Sequence, residues 1–226
     1  MQIHYYGHST FLIETKGFKL LFDPFISGNE KAAHINIDDI NADFILVSHG
    51  HGDHLADVES IAKRCGAKVI TNYEIHNHFV AKGLDSHPIN HGGKFDFEFG
   101  TVKSVNAIHT SSFPDGSYAG NPAGFVIWND EDCFYFAGDT GLTMDMQLIP
   151  MTCPKLDFAI LPIGDNFTMG YEDAVIASDF IKCDNIIGCH FDTFGYIVID
   201  HAKAIESFES KGKKIVLPEI GQQVNI

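Results

Sequence analysis

Apolar and polar positions alternate with a period of two at the start of the chain. His4-Tyr5-Tyr6 leads to Thr10-Phe11-Leu12-Ile13-Glu14, and after Lys16-Gly17 comes Phe18-Lys19-Leu20-Leu21-Phe22. The pattern predicts two strands joined by a tight glycine turn. Asp23-Pro24 ends the second, because proline cannot continue a ladder. Residues 26–40 are polar and mixed and are expected to form a loop. Phe44-Ile45-Leu46-Val47-Ser48 is a continuous apolar run of buried-strand type. Beyond a histidine-rich stretch, Leu55, Val58, Ile61, Ala62 and Cys65 recur at helical spacing. A strand over 67–71 and a helix over 73–82, stopped by Gly83, complete the first half.

The second half repeats the style without repeating the sequence. Its spacing predicts hairpins pairing 94–99 with 101–108 and 124–128 with 133–137, then buried strands over 157–162 and 185–189. Helices are expected over 172–182, with Thr168 or a neighbour as cap, and near 200–211, before a last strand near 214–217. Each half is β-rich early and βα late. That order predicts an α/β (α+β) four-layer αββα sandwich, two mixed β-sheets packed face to face with helices on both outer faces. No composition break or Pro/Ser-rich linker divides the chain, so one domain over 1–226 is expected, a length that one core can serve.

Composition narrows the function classes. Fifteen Lys+Arg stand against 30 Asp+Glu, a formal charge of −15, and no basic patch offsets it. A nucleic-acid partner is therefore not expected. No apolar run is long enough to span a bilayer and none reads as a signal peptide, so no membrane partner and a cytoplasmic location are expected. Five cysteines, an odd number with no Cys-x-x-Cys pair, read as reduced thiols.

The 13 histidines are the anomaly, and many sit beside Gly or Asp at the ends of apolar runs. The densest group is His49-Gly50-His51-Gly52-Asp53-His54, on the loop leaving a buried strand. Imidazole and carboxylate are ligands for zinc, manganese or iron, and the two glycines let the backbone turn the side chains to one side. Six residues do not complete two coordination shells. His109, Asp139 and His190, each at the end of another strand-like run, are the candidates for the rest.

In this order, with Gly138-Asp139-Thr140 around the carboxylate, the chain resembles the metallo-β-lactamase superfamily. Asp23 matches that superfamily's early Asp. Gly7-His8-Ser9-Thr10-Phe11-Leu12-Ile13 and Leu161-Pro162-Ile163-Gly164-Asp165-Asn166-Phe167-Thr168-Met169-Gly170 look like the UPF0173-type metal-dependent hydrolases, kin to the ascorbate-6-phosphate lactonase and N-acyl-phosphatidylethanolamine phospholipase D branches. The resemblance implies two divalent metal ions, zinc first with manganese or iron as alternatives. His49, His51 and His109 would bind one, Asp53, His54 and His190 the other, and Asp139 would bridge. It departs from the group near the last ligand, where a Tyr- or Gly-containing stretch is common and Cys189-His190-Phe191-Asp192-Thr193-Phe194 stands here; Asp192 either alters the charge of the second site or faces solvent.

The expected activity is hydrolysis of a small ester, lactone or phosphodiester by hydroxide generated on the metal pair. Asp53 or Asp139 would accept the proton, His8 would contact substrate or protonate the leaving group, and Asp23 would orient a ligand imidazole. Asn166 and the Gly-containing loop 113–120 are open candidates for substrate contact, the loop as a lid. The alternatives are an RNA-processing nuclease of the same fold, a di-iron redox protein, and a non-catalytic metal protein. A homo-oligomer is an open expectation.

Overall fold

The computed structural model, which describes residues 1–225, divides the opening alternation into three strands where two are expected: β1 (Gln2–Gly7), β2 (Thr10–Thr15) and β3 (Phe18–Phe22). Gly7 and His8 both take positive φ, at 104° and 55°. The chain reverses there and the register shifts between Tyr5 and Gly7. That reversal is what sets His8 at a strand end. β4 (Phe44–Leu46) and β5 (Lys68–Thr71) follow as expected, and β6 (Ser86–Pro88) adds a strand too short to carry a periodic signal. The second half supplies β7 (Lys94–Phe97), β8 (Gly100–Asn106), β9 (Ala123–Trp128), β10 (Cys133–Phe136), β11 (Phe158–Pro162), β12 (Asn185–Cys189) and β13 (Lys214–Val216). A final strand, β14 (Gln223–Val224), returns to pair with β1.

The strands form two seven-stranded mixed sheets, ordered β14-β1-β2-β3-β4-β5-β6 and β13-β12-β11-β10-β9-β8-β7. Alternate residues on each strand enter different cores. Phe11, Ile13, Leu20, Phe22, Phe44 and Leu46 meet Phe125, Ile127, Phe134, Phe136, Phe158 and Ile160 between the sheets. The intervening Leu12, Leu21, Ile45 and Val69 face outward, under helices α2 (Val58–Cys65) and α3 (Tyr73–Ala81). On the other side Tyr135, Ala159 and Leu161 pack under α5 (Tyr171–Phe180) and α6 (His201–Glu209). This is the four-layer sandwich that the strand pattern predicts.

Four local expectations are corrected. The helix spaced over 55–65 is divided into α1 (Gly52–Leu55) and α2. Asp57 lies between them with its carboxylate accepting from the backbone N–H of Ile26 and Ser27, which ties the 26–40 segment to the helix start. That segment also holds two short 3-10 turns, Glu30–Ala32 and Ile37–Asp39. No side chain caps α5: Gly170 occupies the cap, and the Thr168 hydroxyl turns to the Met169 carbonyl. A 3-10 turn over Met144–Leu148 running into α4 (Ile149–Thr152) fills a stretch for which no element is expected. All five cysteines are free. Among the described residues, no helix is long and apolar enough to cross a membrane.

Strands β3, β4 and β5 are parallel, as are β10, β11 and β12. Antiparallel pairing through β2 and β9 points β1 and β8 the same way. The C-terminal ends of all of these strands consequently converge on one rim. His8, Asp23, the 47–54 loop, His109, Asp139 and His190 each begin where one of them stops.

Candidate metal centre

Asp139 sits at the centre of that rim, almost completely buried. Its Oδ2 lies 3.0 Å from His190 Nε2, 3.2 Å from His54 Nε2, 3.6 Å from His109 Nε2 and 3.9 Å from His49 Nε2. One carboxylate oxygen thus faces four imidazoles from three different strand ends, His49 and His54 sharing the segment after β4. His49 Nε2 also lies 3.0 Å from His51 Nδ1. Zinc with tetrahedral ligands at about 2.0–2.1 Å sets neighbouring ligand atoms roughly 3.3 Å apart, and these separations bracket that spacing. Ligand atoms of His49, His51 and His109 all lie within 4.8 Å of one another, and so do those of His8, Asp53, His54 and His190. Asp139 Oδ1 and His54 Nε2 are buried without a hydrogen-bond partner. Orphaned buried polar atoms are costly in a folded protein, and coordination to a cation would satisfy them. The donor set therefore fits a metal pair.

Behind the ligands is a hydrogen-bonded frame. Asp23, fully buried, accepts from Ser48 N–H (2.7 Å) and Ser48 Oγ–H (2.5 Å), and its Oδ2 meets His54 Nδ1 at 2.8 Å. Ser48 Oγ also lies 2.9 Å from His49 Nδ1. This frame leaves Nε2 of His54 and of His49 pointing at Asp139, the outer-sphere arrangement that fixes ring orientation in metal sites. Asp23 takes φ +40°, a strained value for a non-glycine residue that turns the chain at the strand end.

The protons of the site follow from burial and charge. Burial disfavours an imidazolium at His54, but Asp139 and Asp23 outweigh it and hold the group well above the usual histidine range. Asp139 shows the converse: burial opposes its charge, His190 and His54 reverse that, and the carboxyl lies well below its ordinary value. His49, His51 and His109 are pushed down, in each case chiefly by burial. They present neutral nitrogens, the form that binds a metal.

His8 is completely buried. Its Nε2 lies 3.1 Å from Asp53 Oδ2 and its Nδ1 3.0 Å from Thr193 Oγ1. Burial lowers its pKa to about 4, against the pull of Asp53. A neutral ring donating Nε2–H to Asp53 and accepting from the Thr193 hydroxyl satisfies both contacts. Burial also opposes charge on Asp53, but His8 and His54 overcome it and the carboxyl is held below its ordinary value.

The remaining candidates separate cleanly. Asn166 is an exposed turn residue with φ +57° whose backbone N–H bonds Asp165 Oδ1. The 113–120 loop is anchored at both ends, Phe113 stacking on His78 and Ala119 packing buried beneath Gly50, while Pro114–Tyr118 between them are exposed. Asp192 instead accepts from Ile199 N–H and meets His201 Nε2 at 2.6 Å. Ser48 and Thr193 escape a reading by ligand type, because neither is a ligand, although each adjoins a histidine-bearing strand end.

Asp23→Asn tests the frame. An amide keeps one acceptor oxygen, enough for the Ser48 N–H, but puts an NH2 donor or an uncharged oxygen where the carboxylate meets His54, and metal affinity is expected to fall about 10–100-fold. Competition against a chromophoric chelator measures it. Unchanged affinity would show that the frame does not orient the ligands.

The chain has relatives. A family model described as beta-lactamase superfamily domain matches residues 2–190. It is 57% identical over 227 residues to a UPF0173 metal-dependent hydrolase of Christiangramia forsetii and 56% identical over 226 residues to one of Flavobacterium johnsoniae, with 100% of both chains covered in each case. Among solved structures it is similar to Igni18, a metallo hydrolase of the archaeon Ignicoccus hospitalis. The TM-score there is 0.89 and the identity 31%, over 99% of this chain and 97% of that one.

Proposed function

Because the chain belongs to the beta-lactamase superfamily and, within it, to the UPF0173 metal-dependent hydrolases, we propose that it hydrolyses a small ester, lactone or phosphodiester at a pair of divalent cations, zinc first among them. The single observation that carries this reading is the Asp139 oxygen shared by four imidazoles. His49, His51 and His109 would hold one ion and His54, His190 and Asp53 the other, with Asp139 between. Two such cations would supply a water acidified toward neutral pH and a Lewis acid for the substrate oxygen.

The protein's own groups account for the rest. Asp53, partly exposed at the cleft, would take the proton of the attacking water. His8 fixes its carboxylate from behind and is itself held by Thr193. Being fully buried, His8 reaches the substrate only through Asp53, which makes it a positioning residue for the base. The cleft itself holds about 250 Å³, which suits a small substrate.

The test is metal content by elemental analysis after purification without chelator or metal-binding tag. About two equivalents of zinc or manganese per chain are expected, activity on an ester panel should vanish with chelation and return with the metal, and no uptake on reconstitution would end the reading. Affinity is also expected to fall on acidification from about pH 8 to about pH 6, since the proton held on His54 must leave before Nε2 can bind and lower pH favours that proton. Affinity that does not change with pH would contradict the assignment of His54.

A further inference from the structure

The cleft over the metal centre has polar ligands at its floor and aromatic side chains at its mouth. Phe167 and Phe194 line it beside His51, Asp53, His109 and His190. Tyr196 meets Phe167 edge to face, with ring centroids 6.1 Å apart. These rings are not core residues that happen to reach the surface: Phe167 is 49% exposed and Tyr196 78%. Large apolar side chains clustered in the open at a site mark where an apolar surface docks.

The chain is strained to put Phe167 there. Asp165 and Asn166, immediately before it, both take positive φ, at 60° and 57°. Two successive non-glycine residues in the left-handed region are uncommon even for Asp and Asn, and the arrangement persists where the surroundings impose it. Here they do. Gly164 and Gly170 bridge across the base of the turn, Met169 N–H bonds the Thr140 carbonyl beside Asp139, and Ile163 N–H bonds the Cys189 carbonyl beside His190. The opposite wall is fixed in the same manner: Asp192, at φ +57°, takes the Ile199 N–H and meets His201, which closes the turn that carries Phe194 and Tyr196. The Phe167 wall is thus anchored to residues adjoining candidate ligands, and the Phe194 wall is closed by Asp192, two residues beyond His190.

Charge completes the picture. Among the described residues no lysine or arginine lines the cleft. A remote carboxylate or phosphate on the substrate would find no cation outside the metal centre, within a protein of formal charge −15.

Resting on the hydrolase reading above, we propose that the substrate carries an apolar acyl or aryl group against Phe167, Phe194 and Tyr196, and no anionic group away from its reacting centre. Hydroxamates test this without turnover, because they anchor on a metal and differ only in their tails. Calorimetry on the zinc-loaded protein would compare acetohydroxamate, hexanohydroxamate, benzohydroxamate and the monohydroxamate of succinate. The apolar tails are expected to bind at least tenfold tighter than acetohydroxamate, about 1.4 kcal/mol, and the succinate derivative no tighter than it. Phe167→Ala should collapse the ratio of hexano- to acetohydroxamate affinity, and Phe167→Tyr should keep it. Since Phe167 is half exposed, neither variant is expected to disturb the fold. Equal affinities across the tails, or tightest binding of the succinate derivative, would overturn the proposal and leave the hydrolase reading standing. Binding of none of them to protein shown to contain zinc would overturn both.

Discussion

Asp139→Ala is expected to lower kcat/KM by about three orders of magnitude or more, equivalent to about 4 kcal/mol of transition-state stabilisation. The reason is position rather than type. Asp139 Oδ2 lies within 4 Å of His49, His54, His109 and His190 together, so its loss would remove the charge that the two proposed metal positions share. Metal content should fall with activity. The fold should survive, because Asp139 lies at the rim, beyond the end of β10, and the inter-sheet core does not include it. His51→Ala is the companion test, since it strips one ion position of a partly exposed ligand and leaves Asp139 in place. Elemental analysis, circular dichroism and turnover of a model ester would be read on the same preparations. Near-normal turnover in either variant would defeat the two-cation reading.

Gly164→Ala is expected to destabilise the protein by about 3 kcal/mol, the upper part of the range for forcing an added group into a packed site. For a chain of this length that lowers Tm by roughly 6–12 °C. An added Cβ would stand 2.0 Å from the His190 carbonyl oxygen and 3.0 Å from Ile197 Cβ. Backbone is the obstacle, and it cannot yield alone: His190 N–H is bonded to the His8 carbonyl at 2.8 Å. Relief of the clash would shift His190 from Asp139, so metal affinity is expected to drop together with stability. Gly195→Ala is the control. Nothing lies within 4 Å of its added Cβ, and its stability should stay within about 0.5 kcal/mol of the parent. Thermal unfolding with and without zinc measures both effects, and a Gly164→Ala protein that melts and binds like the parent would show that the close approach is not a constraint.

The sequence determined the layers and the ligand types. Strand periodicity is local, and burial of alternate residues on opposite faces follows from it, which is why Phe11, Leu12 and Ile13 could be read as a strand and do divide between two cores. Histidines and aspartates at strand ends are equally visible, since the residue type carries the chemistry. Several boundaries lay beyond that reading because the deciding contacts are distant in sequence. The division of the 55–65 helix depends on Asp57 reaching Ile26 and Ser27, and β14 exists only by pairing with β1. Only the tertiary structure gave His8 its place behind Asp53, and only it closed the 113–120 loop onto Gly50 and turned Asp192 toward His201. Phe167 belongs to the same class. An exposed phenylalanine in a turn has no periodicity to betray it, and its position over the metal centre follows from a strained backbone and from hydrogen bonds to strands that the sequence places far away.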